Sequence, residues 1–305
     1  MTQEVQPADN PPQGAQQGVA LPIIPLSPSR KALQTLLRNP IAVVGGLILL
    51  LFILIALFAP PIAPYGYETT DLANRLSPPN SRHWFGTDDL GRDTFSRVVY
   101  GSRVSLQVGV FAVLGASALG TLLGSVAAYY GGWADLIISR VFDILLAFPS
   151  VLLAIAVVSA LGPSLQNALA AIAIINVPTF GRLVRGQVLR VREEVYVQAA
   201  RSIGMGDAGI LFAHILPNTL APILVQGSLS VATSILEAAA LGFLGLGAQP
   251  PTPEWGKMLA DSRQFIQQAP WTLIFPGGAI MLTVLGFNLV GDGLRDALDP
   301  RSQKR

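Results

Sequence analysis

Few residues of this 305-residue chain could perform catalysis. It has no cysteine and only two histidines, His83 and His214, so a thiol centre or a zinc site built on histidine lacks ligands. The sequence contains no GxSxG nucleophile elbow, no P-loop and no HExxH zinc helix. Gly204, Gly206 and Gly209 spell GxGxxG, but they follow the polar, helix-like stretch VYVQAARSI and not a buried strand, which argues against a dinucleotide site. We therefore predict no catalytic centre, and no metal or cofactor bound by this chain.

Four polar side chains lie within long apolar stretches, where an ionisable group is costly and is by default a functional candidate. Glu237 has no partner within its own predicted helix, so it could face a water-filled path, pair with another subunit or lie at a helix break near Gly242. Arg140 and Asp143 are three residues apart and can pair, which favours a structural role over a gate. For Asn288, a hydrogen bond to another helix would be enough to explain a polar side chain in an apolar stretch. These four residues are the candidates for a translocation path or for structural contacts within a membrane.

The composition explains why these stretches are so long. Hydrophobic residues make up 51% of the chain and charged residues 12%, about half of the charged share of a soluble domain. The mean hydropathy of +0.52 agrees, and a formal net charge of +2 gives no argument for a nucleic-acid partner. The sequence predicts a protein that spans the membrane several times and contacts lipid.

Six runs are long and apolar enough to cross a hydrocarbon core of about 30 Å as helices. They are predicted at residues 41–58, 104–130, 136–161, 163–180, 218–246 and 271–290. Pro149 and Pro178 are expected to kink the third and fourth spans. Small residues at i+4 spacing in the second span predict a close contact with another helix; they are Ala112, Ala116, Gly120, Gly124 and Ala128.

The distribution of basic residues predicts that both termini lie in the cytoplasm. That orientation places 13 of the 20 Lys and Arg residues on the cytoplasmic side, although five arginines lie between the first two spans. Those arginines alternate with Asp88, Asp89 and Asp93, so we expect this outer segment to be folded with local ion pairs. The first 29 residues are rich in Pro, Gln and Gly and are expected to be a disordered tail.

The polar segment 181–217, between the fourth and fifth spans, is predicted to form an elbow. Residues 196–203 read as a short helix, and Gly204 suits the position after its end, where φ is positive. Asp207 is the expected N-cap of a second short helix, 208–214.

Small and charged residues make this elbow suitable for docking a cytoplasmic partner. Ala199 and Ala200 leave room for the groove of a partner, and Arg201 supplies charge. Pro217 is expected to break the chain before the fifth span. On mechanics alone, a plain connecting loop explains the segment about as well.

The stretch QAARSIGMGDAGILFAHILPN, residues 198–218, resembles the EAA loop of binding-protein-dependent ABC importer permeases. That pattern is Glu-Ala-Ala, three residues, Gly, nine residues and Ile-x-Leu-Pro. The residues that match it in register are Ala199, Ala200, Gly204, Leu216 and Pro217. Gln198 and His214 stand where the pattern has Glu and Ile. The resemblance implies that residues 190–217 couple to an ATPase, whereas Gln198 argues against a carboxylate contact with it.

Two further stretches narrow the resemblance to C-type subunits of dipeptide and oligopeptide permeases. They are HWFGTDDLGRDTFSRVVYGSRVSLQVG (83–109) and LGFLGLGAQPPTPEWGKMLADSR (241–263), the second together with FNLVGDGLRDALDPR (287–301). The resemblance implies an all-α membrane protein with six transmembrane helices. Its type I ABC importer permease core would occupy 101–292, after an extra helix and periplasmic segment at 41–100, with cytoplasmic tails at 1–40 and 293–305.

The same resemblance implies a complex in the bacterial inner membrane. This chain would pair with a second permease subunit of the B type, two ATPase subunits that bind ATP and Mg²⁺, and a periplasmic peptide-binding protein. Di- and tripeptides are the expected cargo, with longer peptides, glutathione, haem or nickel chelates as alternatives on the same scaffold. The proline-rich segment 249–270, which includes Trp255, would contact the binding protein, shape a gate or simply connect two spans.

An alternative function for this chain is that of a secondary transporter, driven by an ion gradient through Glu237. Such folds usually contain internal repeats and paired broken helices, and the sequence shows neither clearly. The two readings differ in whether ATP depletion or an uncoupler stops transport. If the loop couples to an ATPase, Gly204→Asp should abolish transport while leaving membrane insertion intact.

Overall fold

The computed structural model describes residues 28–298. In this range the regular structure is helical, apart from one antiparallel bridge between Thr87 and Asp93. The disorder predicted for residues 1–29 falls outside the described residues up to position 27, while Pro28 and Ser29 belong to the first helix. Three of the basic residues used to predict the orientation, Arg301, Lys304 and Arg305, also lie outside the described range.

Two helices begin the described chain, and the predicted first span is the second of them. Helix α1 is Pro28–Arg38 and helix α2 is Pro40–Leu57. The Asn39 side chain separates them because its oxygen accepts from the backbone N–H of Ile41 at 3.0 Å, and Pro40 suits a first helical turn, where no N–H is needed. A single turn, α3 (Ala59–Ile62), follows and leads into the outer segment.

Five helices are long and apolar enough to cross a membrane, and a bent pair raises the number to six if it counts as one span. The remaining long helices are α4 (Thr94–Tyr130), α5 (Gly132–Ala147), α6 (Ser150–Leu161), α7 (Leu165–Val191), α10 (Leu216–Phe243) and α12 (Trp271–Leu298). The predicted third span, 136–161, is divided into α5 and α6, which meet at 97°, so the kink expected at Pro149 is a sharp bend. Pro149 lies at the bend, as expected of a residue that removes a backbone N–H. Pro178 lies inside α7 without ending it.

The predicted boundaries of the polar segment 181–217 need correction at both ends. Helix α7 continues to Val191 because Val184, Val188 and Val191 are buried along one face. After the short helix α8 (Val195–Ser202), the turn α9 (Asp207–Gly209) and a π-helical turn (Ile210–Ile215) run into α10 as one segment, Asp207–Phe243. Pro217 does not interrupt the helix as expected, because it occupies the first turn of α10, where its missing N–H costs little.

The predicted row of small residues in the second span packs closely against another helix, α7. All five members of the row in α4 are buried. A Cβ added at Gly120 would lie 2.6 Å from the Phe180 Cβ, and one added at Gly124 would overlap the carbonyl oxygen of Gly181. Backbone-to-backbone approach of this kind is what small residues permit between membrane helices. The contact between α4 and α7 is called the seam below.

The outer segment between α3 and α4 is held by ion pairs, as its alternating charges predict. Arg92 Nε lies 2.7 Å from Asp88 Oδ2, and Arg97 Nε lies 3.5 Å from the same oxygen. The Arg103 guanidinium donates to the Leu57 carbonyl at 2.9 Å and satisfies the end of α2. Three of the five arginines between the first two spans, Arg92, Arg97 and Arg103, therefore have partners within the folded chain.

The segment 249–270 is more than a connector, since it contains helix α11 (Trp255–Ser262). Trp255 is fully buried, and its indole N–H donates to the Val98 carbonyl at 3.0 Å. The space that it fills exists because Gly101 has no side chain. Burial raises the pKa of the Glu254 carboxyl, which caps α11 by accepting from the N–H groups of Gly256 and Lys257. Trp255 therefore fixes the segment to α4 and is not available to a binding protein.

Candidate coupling surface and intramembrane polar cluster

Helix α8 packs on the rest of the chain through one side only. Val197 is fully buried and Ala200 is 6% exposed. They join a cluster built from the C-terminal ends of α4 and α7 and from the π-helical turn, with members that include Val188, Ile210 and Ile215. The position of the elbow therefore depends on apolar packing against the two helices that it connects, which ties any motion of α8 to α7 and α10.

The opposite side of α8 is apolar and open. Val195 and Ile203 are 80% and 81% exposed, and the exposed Ala199 lies between them at i+4 spacing. Beyond the helix, Met205 and Phe212 are exposed as well. An exposed apolar surface of this kind is a candidate site for contact with another protein or with lipid. We call these five residues the elbow face.

The remaining candidate residues of α8 have distinct positions. Ala199 points outward and Ala200 inward, although the sequence treats them as one small pair. The exposed Gln198 donates from Nε2 to the Glu193 carbonyl at 3.1 Å, so part of its amide is used locally. The exposed Arg201 lies near the Tyr129 hydroxyl at the C-terminal end of α4. Of this set, only Ala199 lies in the middle of the elbow face.

Gly204 ends α8 in the conformation that the sequence predicts. Its φ is +82°, the N–H of Gly204 donates to the Arg201 carbonyl at 3.0 Å, and the N–H of Met205 donates to the Ala200 carbonyl at 3.1 Å. This pair of bonds is the Schellman pattern, in which glycine avoids the cost of a left-handed residue. A Cβ at Gly204 would meet nothing within 4 Å, so the requirement for glycine is conformational and not steric.

Asp207 does not have the predicted role of N-cap, which is wrong because Gly206 occupies that position. Instead, an Asp207 carboxylate oxygen accepts a hydrogen bond of 2.6 Å from the Tyr129 hydroxyl. At the start of a helical segment the negative charge also has a favourable position relative to the helix dipole. Farther along, Leu216 is half-buried and Pro217 is exposed in the first turn of α10. Tyr129 is a residue that sequence reasoning missed, because nothing local links α4 to the elbow.

Glu237 acquires two partners that are distant in sequence. Its Oε2 accepts from the Asn176 amide of α7 at 3.0 Å, and the Ser150 hydroxyl at the start of α6 lies near the carboxylate. Helix α10 does end next to Gly242, at Phe243, but Glu237 lies six residues before that end. The break that Glu237 contacts is the bend between α5 and α6. Glu237, Asn176 and Ser150 are called the Glu237 cluster below.

The other intramembrane candidates divide into a paired group and an isolated residue. Arg140 lies 3.8 Å from Asp143, but Asp143 has a closer partner in Arg182 of α7, at 2.6 Å. All three side chains are about half exposed or more, which fits a structural pair at the edge of the bundle. Asn288 is half-buried and has no hydrogen bond with any residue between 28 and 298, so the interhelical bond predicted for it is not formed within this chain.

A paired residue near the elbow escaped prediction. Arg185 of α7 donates to both carboxylate oxygens of Asp135 at the start of α5, at 2.6 and 2.7 Å. A two-point contact of this geometry is stronger and more directional than a single one. It joins the beginning of α5 to the C-terminal part of α7, next to the elbow.

Comparison with known proteins identifies the family. The family model described as "Binding-protein-dependent transport system inner membrane component" matches residues 120–304, which is more than half of the chain. The chain belongs to this family. A second model, "N-terminal TM domain of oligopeptide transport permease C", matches residues 27–79 and accounts for the extra helix before the permease core.

Individual relatives place the permease within the family. It is 64% identical over 276 residues to the dipeptide transport system permease protein of Alkalihalophilus pseudofirmus, which covers 90% of this chain and 91% of that protein. It is 51% identical to the glutathione transport system permease protein of Pectobacterium atrosepticum, over 90% and 92%. The corresponding Escherichia coli protein is 52% identical over 87% and 88%. The resemblance to C-type peptide permeases is thereby confirmed.

A solved structure supports the same fold. The inward-facing structure of the MetNI methionine ABC transporter aligns with a TM-score of 0.53 and 18% identity, covering 66% of this permease and 96% of that chain. At this identity the likeness shows the fold alone. The prediction of an all-α membrane protein with a type I importer permease core is confirmed.

Proposed function

We propose that this permease is the C-type subunit of an ATP-driven importer that moves di- and tripeptides across the bacterial inner membrane. The observation that carries the proposal is the 64% identity to a dipeptide permease, which extends over 90% of the chain. Its partners are a B-type permease subunit, two ATPase subunits and a periplasmic peptide-binding protein. ATP and Mg²⁺ bind to the ATPase subunits.

The elbow face is the surface on which an ATPase subunit docks. Its apolar side chains are open while the reverse side of α8 is packed against α7 and the π-helical turn. When the ATPase pair closes, the displacement of α8 is carried into α7 and α10, since both are continuous with the elbow. Coupling of this kind needs two arrangements that ATP and cargo both bias.

The proposed orientation places both termini and the elbow in the cytoplasm. The chain contains no native cysteine, so single cysteines can report the side of the membrane. In intact cells, an impermeant maleimide should label Trp84→Cys in the outer segment, which is 58% exposed. Ile203→Cys should react only after the membrane is opened. The reverse result excludes this orientation and, with it, docking of the elbow on a cytoplasmic ATPase.

Uptake by the purified complex in proteoliposomes tests the function. With the binding protein outside and ATP inside, labelled Ala-Ala should accumulate, and an uncoupler should have no effect. Uptake that persists without ATP and stops with the uncoupler would instead support an ion-coupled transporter.

Glutathione is a second candidate cargo because two relatives at 51% and 52% identity are glutathione permeases. Running the uptake assay with labelled glutathione beside Ala-Ala separates the candidates. Uptake of glutathione without Ala-Ala assigns the permease to that cargo. Uptake of neither, by a complex that hydrolyses ATP, excludes both.

A further inference from the structure

The Glu237 cluster contains a carboxylate that has no part in the proposed docking of the elbow. The carboxylate of α10 accepts a hydrogen bond from the Asn176 amide of α7 and lies near the Ser150 hydroxyl of α6, so three helices converge on it. Both partners are neutral. Within the described range 28–298, no Lys, Arg or His side chain pairs with Glu237. The carboxylate is therefore positioned but is not neutralised by this chain.

The cluster lies within the membrane-spanning helices. Asn176 is eleven residues from the start of α7 at Leu165, and Glu237 is six residues from the end of α10 at Phe243. At 1.5 Å per residue, these distances are about 16 and 9 Å along the helix axes. Both are shorter than the hydrocarbon core of about 30 Å, so the cluster is expected inside the spanning region, nearer to one end of α10 than to the other.

Two features at this depth require water or protein on the open side of the cluster. An ionisable side chain facing acyl chains is costly, yet Glu237 is only half-buried. The 97° bend between α5 and α6 interrupts the helix, and an interrupted helix at membrane depth occurs only where its backbone is covered by protein or lines a water-filled cavity. Both features are satisfied if the open side of Glu237 faces the translocation path.

The free hydrogen-bonding capacity of the carboxylate suits a cationic group. Its two oxygens can accept about four hydrogen bonds, and the two described side-chain partners leave room for a donor with a positive charge. An ammonium group offers three donors and a full charge. The α-amino group of a peptide has a pKa of about 7.7–8.0 and is mainly protonated at neutral pH.

We propose that Glu237, held in place by Asn176 and Ser150, binds the ammonium group of a peptide as it crosses the membrane. This inference rests on the proposed function, because it assumes that peptides are the cargo. In a purely structural alternative, Glu237 only braces the start of α6, and a neutral Gln would serve as well.

The first test compares Glu237→Gln with wild type in the complete complex, reconstituted with the binding protein. The exchange keeps a polar side chain for Asn176 and Ser150 and removes the charge. We expect uptake of Ala-Ala to fall about tenfold or more, since a charge-assisted hydrogen bond is lost, while ATP hydrolysis stimulated by the loaded binding protein persists. Glu68→Gln, at an exposed position of the outer segment, is the matched control and should transport normally.

The second test needs no variant. In the vanadate-trapped wild-type complex, a hydrophobic carbodiimide should join the Glu237 carboxyl to a bound peptide amine as an amide, with loss of water, and mass spectrometry should find the adduct. Ala-Ala presents only an α-ammonium group, and N-acetyl-Ala-Lys only a side-chain one. An adduct with either peptide supports the proposal and identifies the source of the ammonium group.

The outcomes distinguish a failure of the proposed ammonium site from a failure of the proposed function in peptide import. Normal uptake by Glu237→Gln overturns the ammonium site, and so does the absence of an adduct in wild type, including the case in which Glu237→Gln fails to assemble. If the wild-type complex does not transport Ala-Ala at all, the proposed function fails first.

Discussion

The seam and the elbow face use the same sequence device with opposite results. Both place small residues on one face of a helix, Gly120 and Gly124 on α4 and Ala199 on α8. At the seam the space is filled by the backbone of α7. At the elbow, Ala199 lies open between Val195 and Ile203. A small residue therefore marks a close approach, but only the fold shows whether the partner is in the same chain.

The largest effect is expected from filling the seam. Gly124→Leu would force a side chain into the Gly181 carbonyl, where no flexible group can move aside. Overpacking typically costs 1–3 kcal/mol, and contact with backbone should exceed this at about 3 kcal/mol or more. Gly46→Leu in α2, where an added Cβ meets nothing within 4 Å, is the control. Size-exclusion profiles in mild detergent should show loss of the monodisperse protein for Gly124→Leu only. Equal profiles would mean that the seam is looser than described.

The next prediction contrasts the two alanines of the elbow. Ala200→Leu adds volume to the buried side of α8 and should lower stability by about 1–3 kcal/mol. Ala199→Leu points to solvent, so it should leave the melting temperature of the isolated permease unchanged. In the complex, Ala199→Leu should reduce co-purification of the ATPase subunits, because the gap between Val195 and Ile203 is closed. A permease with Ala199→Leu that retains its ATPase subunits would place the docking surface elsewhere.

These contrasts show what sequence reasoning can reach. The seam, the ion pairs of the outer segment and the positive φ of Gly204 all follow from local spacing or residue type, and the structure contains each of them. Contacts between distant elements do not follow in this way. The partners of Glu237 come from α6 and α7, and the partner of Asp207 from α4.

The ends and bends of the helices also cannot be predicted from the local sequence alone. Pro217 looks like a break, but apolar packing of Ile210 and Ile215 keeps the helix continuous through a π-helical turn. Pro149 predicts a kink, but its size, 97°, depends on what α5 and α6 pack against. Local rules give the positions where a helix can change direction, and tertiary packing decides whether it does.

A smaller effect on stability is expected at Gly204, where Asp and Asn variants separate backbone strain from charge. Each places a side chain at a φ of +82° and should cost about 1 kcal/mol or less, because these two residues tolerate the left-handed region better than others. The added carboxylate adjoins the apolar elbow face. We expect Gly204→Asp to abolish uptake with normal insertion, and Gly204→Asn to retain most of it. Loss in both variants would assign the effect to the elbow angle, and normal uptake by Gly204→Asp would contradict docking at this surface.

The smallest effect concerns the link between the seam helix and the elbow. Tyr129→Phe removes the hydrogen bond to Asp207 and leaves the ring in place. The bond is exposed, so its loss should cost only about 0.5–1 kcal/mol. If α4 helps to hold the elbow in register, this variant should lower the uptake per ATP hydrolysed, with little change in melting temperature. Tyr130→Phe is the matched control, because Tyr130 is 61% exposed and adjoins Tyr129. An equal ratio of uptake to ATP hydrolysis in both variants would show that the elbow is positioned by α7 and α10 alone, and that the seam only supports the fold.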